Sequence, residues 1–293
     1  MSVDLNVEHE EVQIKLPHLC LSGRLWGRAD KPLLLALHGW LDNANSFEPL
    51  ATHLNDFQVL AIDWPGHGYS DHHPGYYPLH WVDYIFDLQV LLSYLEHRTI
   101  PVAIVGHSLG GIVASAFTAA FPDKVNKLIL IEALAPIFES AKKNKARLNK
   151  SFKAYQTYLA NKEKAASVYD NVEIAVDARH KLTGLDRSWC ALLTQRNMVQ
   201  NDNGVSWRSD PRLRLDSPTR LSFEQVDALM QNHSSQTLLI TGQDGYSALQ
   251  TALPQAKKWF NQLSTVHLRG DHHLHMGNAA EVAKAITDFI NKR

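Results

Sequence analysis

No stretch constrains the fold of this chain more than Pro101 to Phe121, PVAIVGHSLGGIVASAFTAAF. It opens as a short apolar, β-branched run from Val102 to Val105, the pattern of a buried strand. It breaks at Gly106-His107-Ser108-Leu109-Gly110 and resumes with Ile112, Val113, Ala116 and Phe117, an apolar stripe at helical spacing. A G-x-S-x-G pentapeptide alone is weak information. Between a strand and a helix it predicts a sharp turn that lifts one serine to its tip, with small neighbours so that strand and helix can pack closely. Ser108 is therefore the first candidate for chemistry.

The rest of the chain repeats the alternation. Val12 to Leu16 and Leu19 to Trp26 read as two strands joined at Pro17, a hairpin edge. Leu33 to Leu37 is a continuous apolar run, as expected of a strand covered on both faces. A helix is expected from a Ser46 cap to about Leu54, then a strand from Val59 to Asp63 and a helix from Trp81 to His97. Lys127 to Ile131 is the next strand, ending at Glu132. Thr237 to Thr241 and Ser264 to Leu268 read as two more, separated by a helix near Leu253 to Phe260. A final helix carries Val282, Ile286, Phe289 and Ile290 on one face. Apolar strands alternating with helices predict a parallel sheet clothed on both faces. In such sheets functional groups gather at the carboxyl ends of the strands, where His38-Gly39-Trp40, Asp63, Ser108 and Glu132 fall.

Between 136 and 236 the pattern changes. Ser140 to Ala166 is Lys-rich and helical in composition, and Val172 to Lys181 and Ser188 to Val199 continue as helices. A basic, turn-rich stretch runs from Trp207 to Leu215, and Ser222-Phe223-Glu224-Gln225 forms a capping box for a helix to Met230. A crossover needs about a dozen residues, so this segment reads as an inserted helical cap. The expected division is 1–135 and 237–293 for the core and 136–236 for the cap. The lysines from Lys142 to Lys153 read as a solvated helix face.

A formal net charge of -1 offers nothing to nucleic acid or to an anionic membrane. No apolar run approaches the roughly 18 residues of a spanning helix, and the first residues, MSVDLNVEHEEV, lack the pattern of a secretory leader. Cys20 and Cys190 have no metal-like spacing and read as reduced thiols. A cytoplasmic protein acting on a small molecule is expected, with neither nucleic acid nor membrane as partner.

The motif set HGWLDN, DWPGHGYS, GHSLGG, Ile131-Glu132, WRSDPRLR and GDHHLHM resembles the α/β-hydrolase fold superfamily, and within it the serine hydrolase-like family. The resemblance covers nearly the whole chain. It implies a mostly parallel eight-stranded sheet with helices on both faces and a helical cap, and a hydrolase with a serine nucleophile and no cofactor. It also implies that the backbone N–H groups of Trp40 and Leu109 form the oxyanion hole.

A serine hydroxyl needs an adjacent base, and a histidine oriented by a carboxylate suits that task. The last loop offers His272, His273 and His275. Spacing to Met276 and Val282 and the family's G-x-H-x-x-H-M run favour His272, whereas spacing back to Gly270 in the wider superfamily favours His273. The usual acid position, three residues after Gly242, holds Gly245, which leaves Asp244 as the nearby acid. The alternative is Glu132, at the end of an apolar strand, where a carboxylate is costly to bury without a partner; the expected set is Ser108, His272 and Glu132, with His273 and Asp244 as alternates. Three histidines and an aspartate could bind a metal, but no matching carboxylate pair is visible elsewhere, so none is expected. Asp63 and His67 read as turn-forming, and His107 as shaping the elbow. The expected reaction is hydrolysis of a carboxylic ester. Carbon–carbon bond hydrolysis on the same residues, or a non-catalytic ligand pocket, are the alternatives.

Overall fold

The structure, a computed structural model, describes residues 8–162 and 168–292. Residues 1–7, where no leader is expected, and the end of the expected Ser140–Ala166 helix lie outside them. The chain runs β1 (His9–Lys15), β2 (Cys20–Trp26), β3 (Leu33–Leu37), α1 (Glu48–Ala51), β4 (Gln58–Ile62), α2 (Trp81–Glu96), β5 (Ala103–His107), α3 (Leu109–Ala120) and β6 (Lys127–Ile131). There follow α4 (Asn144–Asn161), β7 (Val168–Tyr169), α5 (Val172–Thr183), α6 (Arg187–Asn197), β8 (Met198–Asn201), β9 (Gly204–Trp207) and α7 (Phe223–Met230). Last come β10 (Gln236–Asp244), α8 (Ser247–Trp259), β11 (Leu263–Asp271), α9 (Leu274–Gly277) and α10 (Ala279–Asn291).

Eight strands form one sheet in the order β1-β2-β4-β3-β5-β6-β10-β11. Pairing is parallel from β4 to β11, and only β2 runs against the rest, antiparallel to both β1 and β4. The apolar runs explain the middle of this sheet. Leu33, Leu35 and Leu37 of β3 enter one core, with Ile104, Leu128 and Leu130, while Leu34 and Ala36 enter the other, with Val105, Ile129 and Ile131. The period of two thus feeds both faces at once. Leu88 of α2, Val113 and Phe117 of α3 and Trp259 of α8 seal the first face; Leu50 of α1 and Val282 and Ile286 of α10 seal the second.

The close approach of α3 to the sheet depends on Gly110, where a Cβ would lie 2.0 Å from the Leu37 carbonyl oxygen. β10 and β11 run on to Asp244 and Asp271, past the expected Thr241 and Leu268, because each keeps pairing with the other through an irregularity at Gly242. α8 begins at Ser247, upstream of the expected Leu253, and contains Pro254.

The 136–236 segment is more than helical. The predicted helix to Val199 stops at Asn197, and Met198–Asn201 and Gly204–Trp207 form a hairpin, with β7 completing a three-stranded sheet in the order β7-β9-β8. Two small apolar clusters hold the segment, one around Val176, Leu193 and Cys190, the other around Ala175, Met198 and Val205. Its last helix, α7, instead buries Val226 and Met230 in the main core. Cys20 and Cys190 are free thiols. Among the described residues no helix is long and apolar enough to cross a membrane.

Candidate active site

β5 and β6 are neighbours and end side by side, and each ends in a strained residue. Ser108 has φ 49° and Glu132 φ 51°. Left-handed backbone at a residue with a Cβ costs about 1–3 kcal/mol and collects at functional sites. Both are pinned: the Ser108 N–H donates to Ile131 O at 3.0 Å and the Glu132 N–H to Ile240 O at 3.0 Å. Ser108 thereby stands at the start of α3, whose first N–H groups have no acceptor within the helix. Gly110 directs its own N–H to His38 O at 3.1 Å.

Glu132 is 2% exposed. One carboxylate oxygen accepts from the Gly242 N–H at 2.8 Å, and the other from the Tyr246 N–H at 2.9 Å. His272 Nδ1 lies 3.3 Å from that second oxygen. Burial works to raise the pKa of this carboxyl, but the hydrogen bonds from His272, Gly242 and Tyr246 outweigh it and hold the pKa below the ordinary value. Gly245, standing where the superfamily usually has its acid, is explained by the same geometry. A Cβ there would lie 2.3 Å from Glu132 Oε1. An empty side chain at 245 and a glutamate at 132 are two halves of one arrangement. Asp244 is exposed at the end of β10, opposite Asp271, and no hydrogen bond joins it to a histidine among the described residues.

His273 has a different acid. Its Nε2 lies 3.2 Å from Asp42 Oδ2, while Asp42 Oδ1 accepts from Arg179 at 2.7 Å. Burial tends to lower the pKa of His273, yet the charge and hydrogen bond of Asp42 raise it overall. Asp42 is buried too, which would raise its carboxyl, but His273 and Arg179 drive it well below the ordinary range. Sequence reasoning missed Asp42. HGWLDN contains it in plain sight, but its partners arrive from residues 179 and 273 and no spacing rule connects them.

Neutral imidazoles build the loop that holds Trp40 and Asp42. His38 accepts from the Trp64 N–H at 2.9 Å and, through Nδ1, donates to Gly39 O at 2.7 Å; burial lowers its pKa to about 4. His67 accepts from the Leu41 N–H at 3.1 Å, and burial takes its pKa to about 3. Asp63 accepts from the Ala44 N–H and from buried Arg196, so it is structural, as read. His107 lies beneath the elbow, its Nε2 2.8 Å from His272 O. The Trp40 indole donates to Leu213 O at 2.9 Å, while its side chain is 53% exposed at the rim.

The structure thus brings Glu132 to His272 and brings the His272–His275 loop and the loop after β3 against the strand end that carries Ser108. Among the described residues no hydrogen bond joins the Ser108 hydroxyl to His272; such contacts commonly tighten only when substrate binds. Gly39 closes the other side, where an added Cβ would lie 3.1 Å from Ser108 Cβ.

The model of the alpha/beta hydrolase fold family matches residues 32–279. A serine hydrolase-like protein of Danio rerio is 28% identical over 290 residues, covering 96% of this chain and 88% of its own. A hypothetical protein of Pseudomonas aeruginosa, known from a crystal structure, superposes with a TM-score of 0.86 at 33% identity, covering 97% of this chain and 100% of that one. The thioesterase domain from the curacin biosynthetic pathway shares the fold with a TM-score of 0.81 at 24% identity, over 96% of this chain and 99% of that one.

Proposed function

The chain belongs to the alpha/beta hydrolase fold superfamily and, within it, to the serine hydrolase-like family, and from that premise we propose that it hydrolyses small or medium carboxylic esters with Ser108 as nucleophile, His272 as base and Glu132 as the orienting acid. The observation that carries the reading is the pairing of His272 Nδ1 with the buried Glu132 carboxylate, next to a serine held at the elbow.

A carboxylate can only accept, so Nδ1 carries the ring proton and Nε2 keeps its lone pair for Ser108. Nε2 takes the hydroxyl proton as Oγ bonds to the ester carbonyl carbon. The resulting oxyanion is held by the N–H groups of Trp40 and Leu109, where preorganised donors act most strongly. His272 returns the proton to the departing alcohol oxygen, leaving an acyl-Ser108. Water then repeats the sequence, giving up a proton to His272, and the acid leaves with Ser108 restored. Glu132 stabilises the imidazolium at each crest without itself taking the proton.

The segment beginning at 136 acts in this reading as the cap over the pocket. What supports that role is its attachment to the loop after β3: Asn43 and Asn45 donate to Leu193 O and Leu192 O at 2.8 Å each, and Arg179 donates to Leu41 O at 2.9 Å.

The test is hydrolysis of p-nitrophenyl esters from acetate to octanoate by wild type and Ser108→Ala. Wild-type turnover is expected to fall by about 10⁴-fold or more in the variant, and the chain-length profile would size the pocket. Turnover shared by both proteins, or none from folded wild type, would sink the esterase reading.

A further inference from the structure

Beneath Ser108, on the side away from Glu132, three donor atoms converge. His107 Nε2 lies 2.8 Å from His272 O; a carbonyl oxygen only accepts, so this nitrogen carries a proton. The other nitrogen, Nδ1, therefore holds a lone pair unless the ring is charged. The ring is buried, 1% exposed, which opposes that charge. Yet that nitrogen faces a carboxylate: Asp42 Oδ2 is 3.6 Å away, and among the described residues no hydrogen-bond donor reaches Nδ1. Two buried acceptors face one another with no proton between them, an arrangement that a shared cation relieves.

The third donor is His273 Nε2, 3.2 Å from the same Asp42 oxygen. The three atoms all lie within 4.8 Å of one another. A four-coordinate zinc ion with ligand bonds of about 2.0–2.1 Å holds its ligands roughly 3.4 Å apart. The Asp42–His273 and Asp42–His107 separations, 3.2 and 3.6 Å, bracket that value. The outer partners are also in place. His107 donates its other N–H to a backbone carbonyl, and the free oxygen of Asp42 is gripped by Arg179, the supports that orient metal ligands. Gly39 leaves room, since a Cβ there would stand 2.9 Å from His107 Nδ1 and 3.2 Å from Asp42 Oδ2.

We propose that Asp42, His107 and His273 form a site for one divalent transition metal of the zinc class, behind the nucleophile, and that its occupancy inhibits the enzyme. Binding requires the His273 ring to carry its proton on Nδ1, either by moving it there from Nε2 or, if the ring is charged, by losing the Nε2 proton to solvent, so that Nε2 offers a lone pair. The link to activity is direct: His107 holds the carbonyl of His272, and His273 is the next residue, so coordination sets the position of the base. The binding half stands apart from the esterase reading; the inhibition half rests on it.

Cobalt(II) titrated into wild type reports the binding half. The intense visible bands of four-coordinate cobalt are expected at one equivalent, displaced by one equivalent of zinc. Zinc affinity, measured by competition with a chromophoric chelator, should fall in His273→Phe by more than the roughly 10–100-fold that loss of an outer partner costs. His273→Asn serves if the first variant folds poorly. Weak six-coordinate cobalt bands, or equal zinc affinity in wild type and a folded variant, would overturn the site. Zinc should also suppress p-nitrophenyl acetate hydrolysis by wild type, with recovery on adding EDTA; full activity with the site loaded would overturn inhibition while leaving binding intact. A chain that proves inactive on esters would still give the cobalt answer.

Discussion

The two sides of the elbow carry the same chemistry and use it differently. On the β6–β10 side, buried Glu132 meets His272 at 3.3 Å; on the β3 side, buried Asp42 meets His273 at 3.2 Å. Exposure does not separate the histidines, whose side chains are 18% and 17% accessible. What separates them is the company of the acid and the nitrogen it engages. Glu132 is satisfied by two backbone amides, of Gly242 in β10 and of Tyr246 just after it, and it takes the Nδ1 of His272, leaving Nε2 free. Asp42 is satisfied by a guanidinium from the inserted segment and takes the Nε2 of His273. In the proposed reading, similar distances thus leave one pair for proton transfer and the other for holding a cation.

The hardest blow to this contrast is to cut the first pair. Glu132→Gln should lower kcat on p-nitrophenyl esters by about 10³–10⁴-fold, since an amide cannot stabilise the imidazolium. A loss of only a few-fold would mean that the acid lies elsewhere.

Acid should strike the second side first. His38 and His67, which shape the loop bearing Asp42, are held neutral with pKa values of about 4 and about 3. Below an unfolded-state pKa near 6.5 the unfolded chain binds protons that these folded rings refuse. Their contribution is therefore complete above that pKa and declines as pH falls towards the folded values. Between pH 7 and 5 each should cost about 2 kcal/mol of stability, visible as a falling urea midpoint. Glu132 has a lowered pKa, so its contribution persists to below about pH 4.5. A midpoint flat from pH 7 to 5 would contradict the neutral-imidazole account.

A smaller effect sharpens the first side. Gly245→Ala places a methyl against Glu132 Oε1 and should reduce kcat by about 10–100-fold through misplacement of the acid. Asp244→Asn, on the adjacent but exposed residue, should stay within about twofold. Reversal of that order would return the acid to the end of β10.

How much of this was legible depends on the range of the interaction. β3 and β6 could be read because each is an unbroken apolar run, the mark of a strand buried on both faces. The elbow could be read because small residues are forced wherever α3 nears the sheet, as Gly110 shows against Leu37 O. The hairpin of Met198–Asn201 and Gly204–Trp207 was missed. Its strands are four residues long, and the first follows α6 without a break, so neither period has room to declare itself. Asp42 was missed for another reason: nothing local distinguishes an aspartate in a turn from one that will meet residues 179 and 273.

Within the chain, local sequence determined where the strands of the main sheet lie, which serine stands at the turn, and that the ends of its parallel strands face one way. These follow from periodicity, from glycine, and from the right-handed crossovers that parallel strands require. Which histidine faces which carboxylate was decided only in three dimensions. His272 and His273 are neighbours in sequence, but the backbone turns them to opposite sides of the elbow. Their acids come from strand ends that the sheet order places on either side of β5. A carboxylate is buried where several donors from distant segments can satisfy it at once, and that condition is a property of the assembled fold.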